Sequence, residues 1–167
     1  IGCEYVIIGH SERRILNGED NNEVKLRAQS AIDANLKVIL CVGESLIDRE
    51  KGNAFNFIEK QLHESLPNGF ENSLIAYEPM WSIGTGKIPS ISEIEKMHEH
   101  IKKIAFDVVN KKINTLYGGS VNIKNIHNIL KIKNVDGVLV GGASLKVKDF
   151  LAIYTAAVKH LNNSLKV

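Results

Sequence analysis

Residues 37–43, KVILCVG, decide the fold. Val38 through Val42 are apolar without a break. A strand with one wet face alternates apolar and polar residues, whereas a strand covered on both faces reads as a continuous apolar run. The stretch therefore predicts a buried strand of a parallel sheet. Four other stretches read the same way: EYVIIG (4–9), SLIAYE (73–78), INTLYG (113–118) and DGVLVG (136–141). Helical patterns lie between them, at 21–35, 53–65, 90–110, 123–131 and 147–162. In 90–110, Ile94, Met97, Ile101, Ile104, Ala105 and Val108 recur at helical spacing, and Ser90 with Glu93 forms a capping box. Phe150, Leu151, Tyr154, Val158 and Leu161 make a similar stripe in 147–162. Strand and helix alternate five times within 167 residues, which predicts one α/β domain, 1–167, with right-handed crossovers.

Composition excludes several classes. A net charge of +2, from 21 basic and 19 acidic residues, is too small to point to nucleic acid or a membrane surface. No apolar run approaches the ~20 residues of a membrane span. The opening IGCEYVIIGHSERR reads as no signal peptide. Cys3 and Cys41 show neither a pairing nor a metal-ligand pattern. Cys41 reads as a buried small apolar residue, and a reducing, cytoplasmic setting is expected. His98 and His100 stand two apart on a helix and point away from each other, so no metal is expected.

In α/β sheets, ligands gather at the carboxyl ends of the strands. Those ends here carry Gly9-His10-Ser11-Glu12, Gly43-Glu44, Glu78-Pro79, Gly118-Gly119-Ser120 and Gly141-Gly142. The segment YEPMWSIGTGK (77–87) is not a nucleotide P-loop. That motif needs Gly where Trp81 stands and Ser or Thr where Ile88 stands. A dinucleotide fingerprint from Gly84 would need Gly at Pro89, and a nucleophile elbow at Ser120 would need Gly at Asn122. Two glycine turns on successive strands predict a phosphate cup, because backbone N–H groups there approach an anion closely. His10 ends a buried strand ahead of a helical turn, which favours a neutral ring. Pro79 holds Glu78 in extended backbone. Proton transfer by Glu78 and His10 beside an anchored phosphate is the predicted chemistry.

Taken together and in order, IIGHSERR, CVGE, AYEPMWSIGTGK, LYGGSV and GVLVGGASL closely resemble the triosephosphate isomerase family. The resemblance implies the (β/α)8 TIM barrel fold, with about five of its eight units in this chain, corresponding to strands four to eight. It implies interconversion of dihydroxyacetone phosphate and glyceraldehyde 3-phosphate in glycolysis and gluconeogenesis, without metal or organic cofactor. Carried over by motif, Glu78 is the general base, His10 the electrophile and Glu12 a supporting carboxylate. Gly84, Ser120, Gly141 and Gly142 bind the phosphate. Residues 79–87, including Pro79, Trp81, Ile83, Thr85, Gly86 and Lys87, form a closing lid, and Tyr117 and Ser120 clasp it. A lid has a physical purpose here, since an enediol phosphate exposed to water eliminates its phosphate.

The family is also usually a homodimer, and its Asn-x-Lys pair after the first strand supplies a positive charge to the substrate. Neither that pair nor the dimer-forming loop after the third strand occurs in this chain. Little activity is therefore expected of the chain alone. Two other readings remain at this level: another phosphate-binding barrel isomerase or epimerase, and a non-catalytic phosphate-binding fragment.

Overall fold

A computed structural model describes residues 2–83 and 88–164. Five parallel strands stand side by side in chain order: β1 (Tyr5–Ile8), β2 (Lys37–Val42), β3 (Leu74–Tyr77), β4 (Asn114–Tyr117) and β5 (Gly137–Val138). Each joins the next in parallel, with Leu40 opposite Ile75 and Ile75 opposite Thr115. The helices are α1 (Ser11–Asn17), α2 (Asn21–Asp33), α3 (Leu46–Glu50), α4 (Ala54–Ser65), α5 (Ile91–Val109), α6 (Ile126–Ile129) and α7 (Val147–Ser164). The predicted strands and long helices all form, and the expected capping box between Ser90 and Glu93 starts α5. Alpha3 went unread, because five residues are too few to display a period.

Side chains alternate across the sheet and divide it into two faces. The row Val42, Tyr77 and Tyr117 and the row Leu40, Ile75 and Thr115 face the helices, since His98 of α5 meets Tyr77, Thr115 and Tyr117. With Ile58, Leu62, Ile94, Met97 and Ile101 they form the core. The opposite face carries Ile7, Ile39, Leu74 and Asn114, and the strand ends above it open on a cavity.

Three expectations need correction. The stripe of 147–162 does not face this chain's core. Ile153 and Ala156 are the buried positions, while Leu151, Tyr154 and Leu161 are 58–60% exposed. Those side chains form an outward apolar face, and the helical period alone cannot say on which side a helix is covered. Val108 likewise lies on the exposed side of α5. The last strand is also much shorter than the apolar run 136–141, because among the described residues β5 pairs only with β4. No helix among the described residues is long and apolar enough to cross a membrane.

Candidate active site

A cavity of about 310 Å³ opens at the carboxyl ends of the strands, lined by His10, Glu78, Ile83, the Gly118–Ser120 turn and the Gly141–Ala143 turn. Four distant segments, following β1, β3, β4 and β5, are brought together there by the parallel sheet. Among the described residues no lysine or arginine lines it.

Glu78 follows the last residue of β3. Its backbone N–H donates to the Val42 carbonyl at 2.8 Å, which extends the sheet pairing by one residue. Its side chain is only 3% exposed. One carboxylate oxygen lies 3.1 Å from His10 Nε2, and the other accepts the Ser11 N–H at 3.1 Å. Burial pushes the Glu78 pKa up, against the opposing pull of His10, the Ser11 N–H, Cys41 and Arg14. A carboxylate whose pKa is raised toward neutrality is a stronger proton acceptor at physiological pH.

His10 caps α1, with its Nδ1 accepting the Glu12 N–H at 3.3 Å. That bond requires a lone pair on Nδ1, which puts the proton of the neutral ring on Nε2. The ring thereby offers an N–H toward Glu78 and the cavity. Gly9 makes the turn into it at φ +71°, a conformation where a side chain is strained. Arg14 braces the turn from below, donating to the Gly9 carbonyl at 2.9 Å and to Asn21 Oδ1 at 2.7 Å.

The structure brings His10, Glu78, Ile83, Ser120, Gly141 and Gly142 to one cavity. The Glu12 side chain is exposed in the first turn of α1, and its backbone rather than its carboxylate holds His10. Pro79 is buried at the start of a 3-10 turn over Met80–Ser82. Tyr117 is buried beneath the cavity, where burial raises its pKa and Ser82 pulls the other way. The expectations for Gly84, Thr85, Gly86 and Lys87 lie outside the described residues. No cluster fit to hold a metal ion occurs among those described.

Sequence reading missed Glu44. This carboxylate is fully buried one residue beyond Gly43, and its Oε1 accepts from Tyr77 Oη at 3.1 Å, Trp81 Nε1 at 3.0 Å and Arg49 Nη1 at 3.0 Å. Its place at a strand end was the available signal.

His98 lies behind the site with no exposure. The single hydroxyl proton of Thr115 goes to the Asn134 carbonyl, so His98 Nδ1 is the donor in the 2.9 Å contact with Thr115 Oγ1. Nε2 then has a lone pair, and it has no partner among the described residues. Burial lowers the ring's pKa to about 4 from 6.5. Above pH 6.5 neither folded nor unfolded ring takes a proton. Below it the unfolded chain protonates first, so stability falls down to about pH 4. The loss totals about 3 kcal/mol. Urea midpoints measured between pH 7 and 4 should show this acid limb, and His98→Gln should flatten it.

Comparison with known proteins points to one family. A family model described as triosephosphate isomerase matches residues 1–157. The triosephosphate isomerase of Ruegeria sp. (strain TM1040) is 44% identical over 160 residues, covering 93% of this chain and 65% of the relative. That of Thermus thermophilus is 45% identical over 165 residues, covering 94% and 66%. The crystal structure of triosephosphate isomerase from Bartonella henselae superposes with a TM-score of 0.84 at 37% identity, covering 92% of this chain and 64% of that one. The chain thus spans about two thirds of the length of its relatives and forms an α/β partial barrel. It belongs to the triosephosphate isomerase family.

Proposed function

We propose that this chain supplies the general base, the electrophile and the phosphate cup of a triosephosphate isomerase, and that it works within a complete eight-unit barrel. The observation that carries the reading is the pairing of a buried Glu78 with His10 Nε2 at 3.1 Å, on a cavity that two glycine turns also line. Glu78 takes a proton from the carbon next to the substrate carbonyl. His10 Nε2–H donates to the carbonyl oxygen as charge develops there, and the same pair returns the proton to the neighbouring carbon. Backbone N–H groups of Ser120, Gly141 and Gly142 receive the phosphate. His10 has one Nε2–H, so it must leave Glu78 to reach the substrate carbonyl, whereas the Ser11 N–H can stay because each carboxylate oxygen has a second lone pair.

The edges of the sheet support the second part. Among the described residues β1 and β5 each lack a neighbour on one side, Tyr5 and Ile7 are 40% and 47% exposed, and α7 turns an apolar face outward. A barrel closes by pairing such edges. The residues present correspond to strands four to eight, and the first three units would cover these surfaces and bring the cation that the cavity lacks. Alone, the chain should self-associate through its open edges. Sedimentation should reveal mass rising with concentration, and Ile7→Lys should lower it.

Titration with phosphoglycolate, an enediolate mimic, tests the site. Its binding should weaken at least about tenfold in Glu78→Gln and in His10→Gln, as expected when a charge-assisted contact is lost. Inorganic phosphate binding should not change in either variant. Equal binding of both anions, indifferent to Glu78, would support the simple phosphate-binding fragment instead.

A further inference from the structure

The connection between β3 and α5 begins at Glu78-Pro79 and ends at Ser90, the N-cap of α5. Near its start, the Trp81 indole N–H donates to Glu44. At its end, one Glu93 oxygen accepts both the N–H and the hydroxyl of Ser90, each at 2.7 Å. Arg49, from α3, touches both ends. One arm of its guanidinium meets Glu44 at 3.0 Å, the other meets the second Glu93 oxygen at 2.8 Å, and its Cζ lies over the Trp81 ring, 5.2 Å from the centroid.

We propose that Arg49 is a positioning residue that ties both ends of the β3–α5 connection to one charge, coupling the release of Trp81 to the hold on the first turn of α5. The chemistry requires arginine. A planar fork can address two carboxylates on different edges while its face covers an indole, and a lysine ammonium cannot do all three. Glu44 sets the strength of the tie. It is fully buried, and only Arg49 among its three donors carries a charge. Leaving that carboxylate without its cation is costly, so Arg49 stays and carries its other contacts with it. The Glu93 arm is half-exposed and weak by itself. Its effect is to fix which way the fork points.

This segment is the one assigned to the lid, and the inference rests on that reading only for its catalytic meaning. Trp81 is the only tryptophan, so its fluorescence reports the tie without any substrate. Glu93→Gln is the informative variant. Glutamine still serves in a capping box, so α5 keeps its start, while the charge facing Arg49 is lost. We expect acrylamide quenching of Trp81 to rise about two- to fivefold in Glu93→Gln and in Arg49→Met, the scale of about 1 kcal/mol of released restraint. The double variant should go no further than Arg49→Met, because both act on one contact. Arg49→Lys should fall between wild type and Arg49→Met. Unchanged quenching in Glu93→Gln overturns the coupling, whatever Arg49→Met does. Full additivity in the double variant overturns it too. Should Arg49→Met fail to fold, Glu93→Gln still decides, since Glu93 lies on the surface. Phosphoglycolate binding is read separately, so failure here is distinguishable from failure of the functional reading.

Discussion

Glu78→Gln should lower turnover of glyceraldehyde 3-phosphate by about 10²- to 10⁴-fold in a barrel completed with the missing units, the range for a general base. Glutamine has nearly the same size and can still accept the Ser11 N–H, so the fold and the His10 contact region should persist. What disappears is the proton acceptor. KM should move little, because the backbone N–H groups proposed to hold the phosphate are left in place by a side-chain change of the same size. Glu78→Asp separates chemistry from position. It keeps the charge and withdraws the carboxylate by about 1 Å, a displacement on the scale that costs about 10²-fold. Steady-state kinetics of the three forms check both values.

Gly43→Ala should cost about 3 kcal/mol or more in stability, at or beyond the upper end for overpacking. Gly43 follows β2 and its Cα faces the backbone of Glu78. A methyl group there would run into the Glu78 carbonyl oxygen and would lie 2.7 Å from its carbonyl carbon. The obstacle is main chain, held by the Glu78 N–H bond to Val42 and by the Gly118 N–H bond to the Tyr77 carbonyl, so it cannot step aside as a side chain would. The base itself would be pushed out of register, and activity should fall along with stability. Gly142→Ala is the comparison. Gly142 opens the 3-10 turn over Gly142–Leu145, has no positive φ and has open space around its Cα, so its urea midpoint should stay near that of the parent chain. Equal midpoints for the two variants would mean that β2 and β3 do not approach as closely as described.

The fold was legible where a segment's neighbours lie within the chain. Val38 to Val42 read as a strand covered on both faces, and β2 has strands on both sides and α2 and α4 packed near it. Ile94, Met97 and Ile101 read as the buried side of a helix and are buried. Legibility failed where the neighbour is missing. Leu151, Tyr154 and Leu161 have the right spacing for a core stripe, yet nothing among the described residues covers them. The site divides the same way. His10, Glu78 and the two glycine turns sit at strand ends, where topology alone brings them together. Glu44 and Arg49 could not be paired from sequence, because their tie depends on α3 folding back over the strand end and on Trp81 and Glu93 arriving from another segment. Such partners leave no periodic trace.

Isomerase turnover by the chain alone and by the chain fused to the unmatched third of the Thermus thermophilus relative tests the central claim most directly. We expect at most trace turnover alone, and turnover in the fused barrel that Glu78→Gln abolishes. Substantial Glu78-dependent turnover by the chain alone would contradict the need for a complete barrel. A folded fusion that fails to turn over substrate, or one whose turnover ignores Glu78, would contradict the assignment of the base.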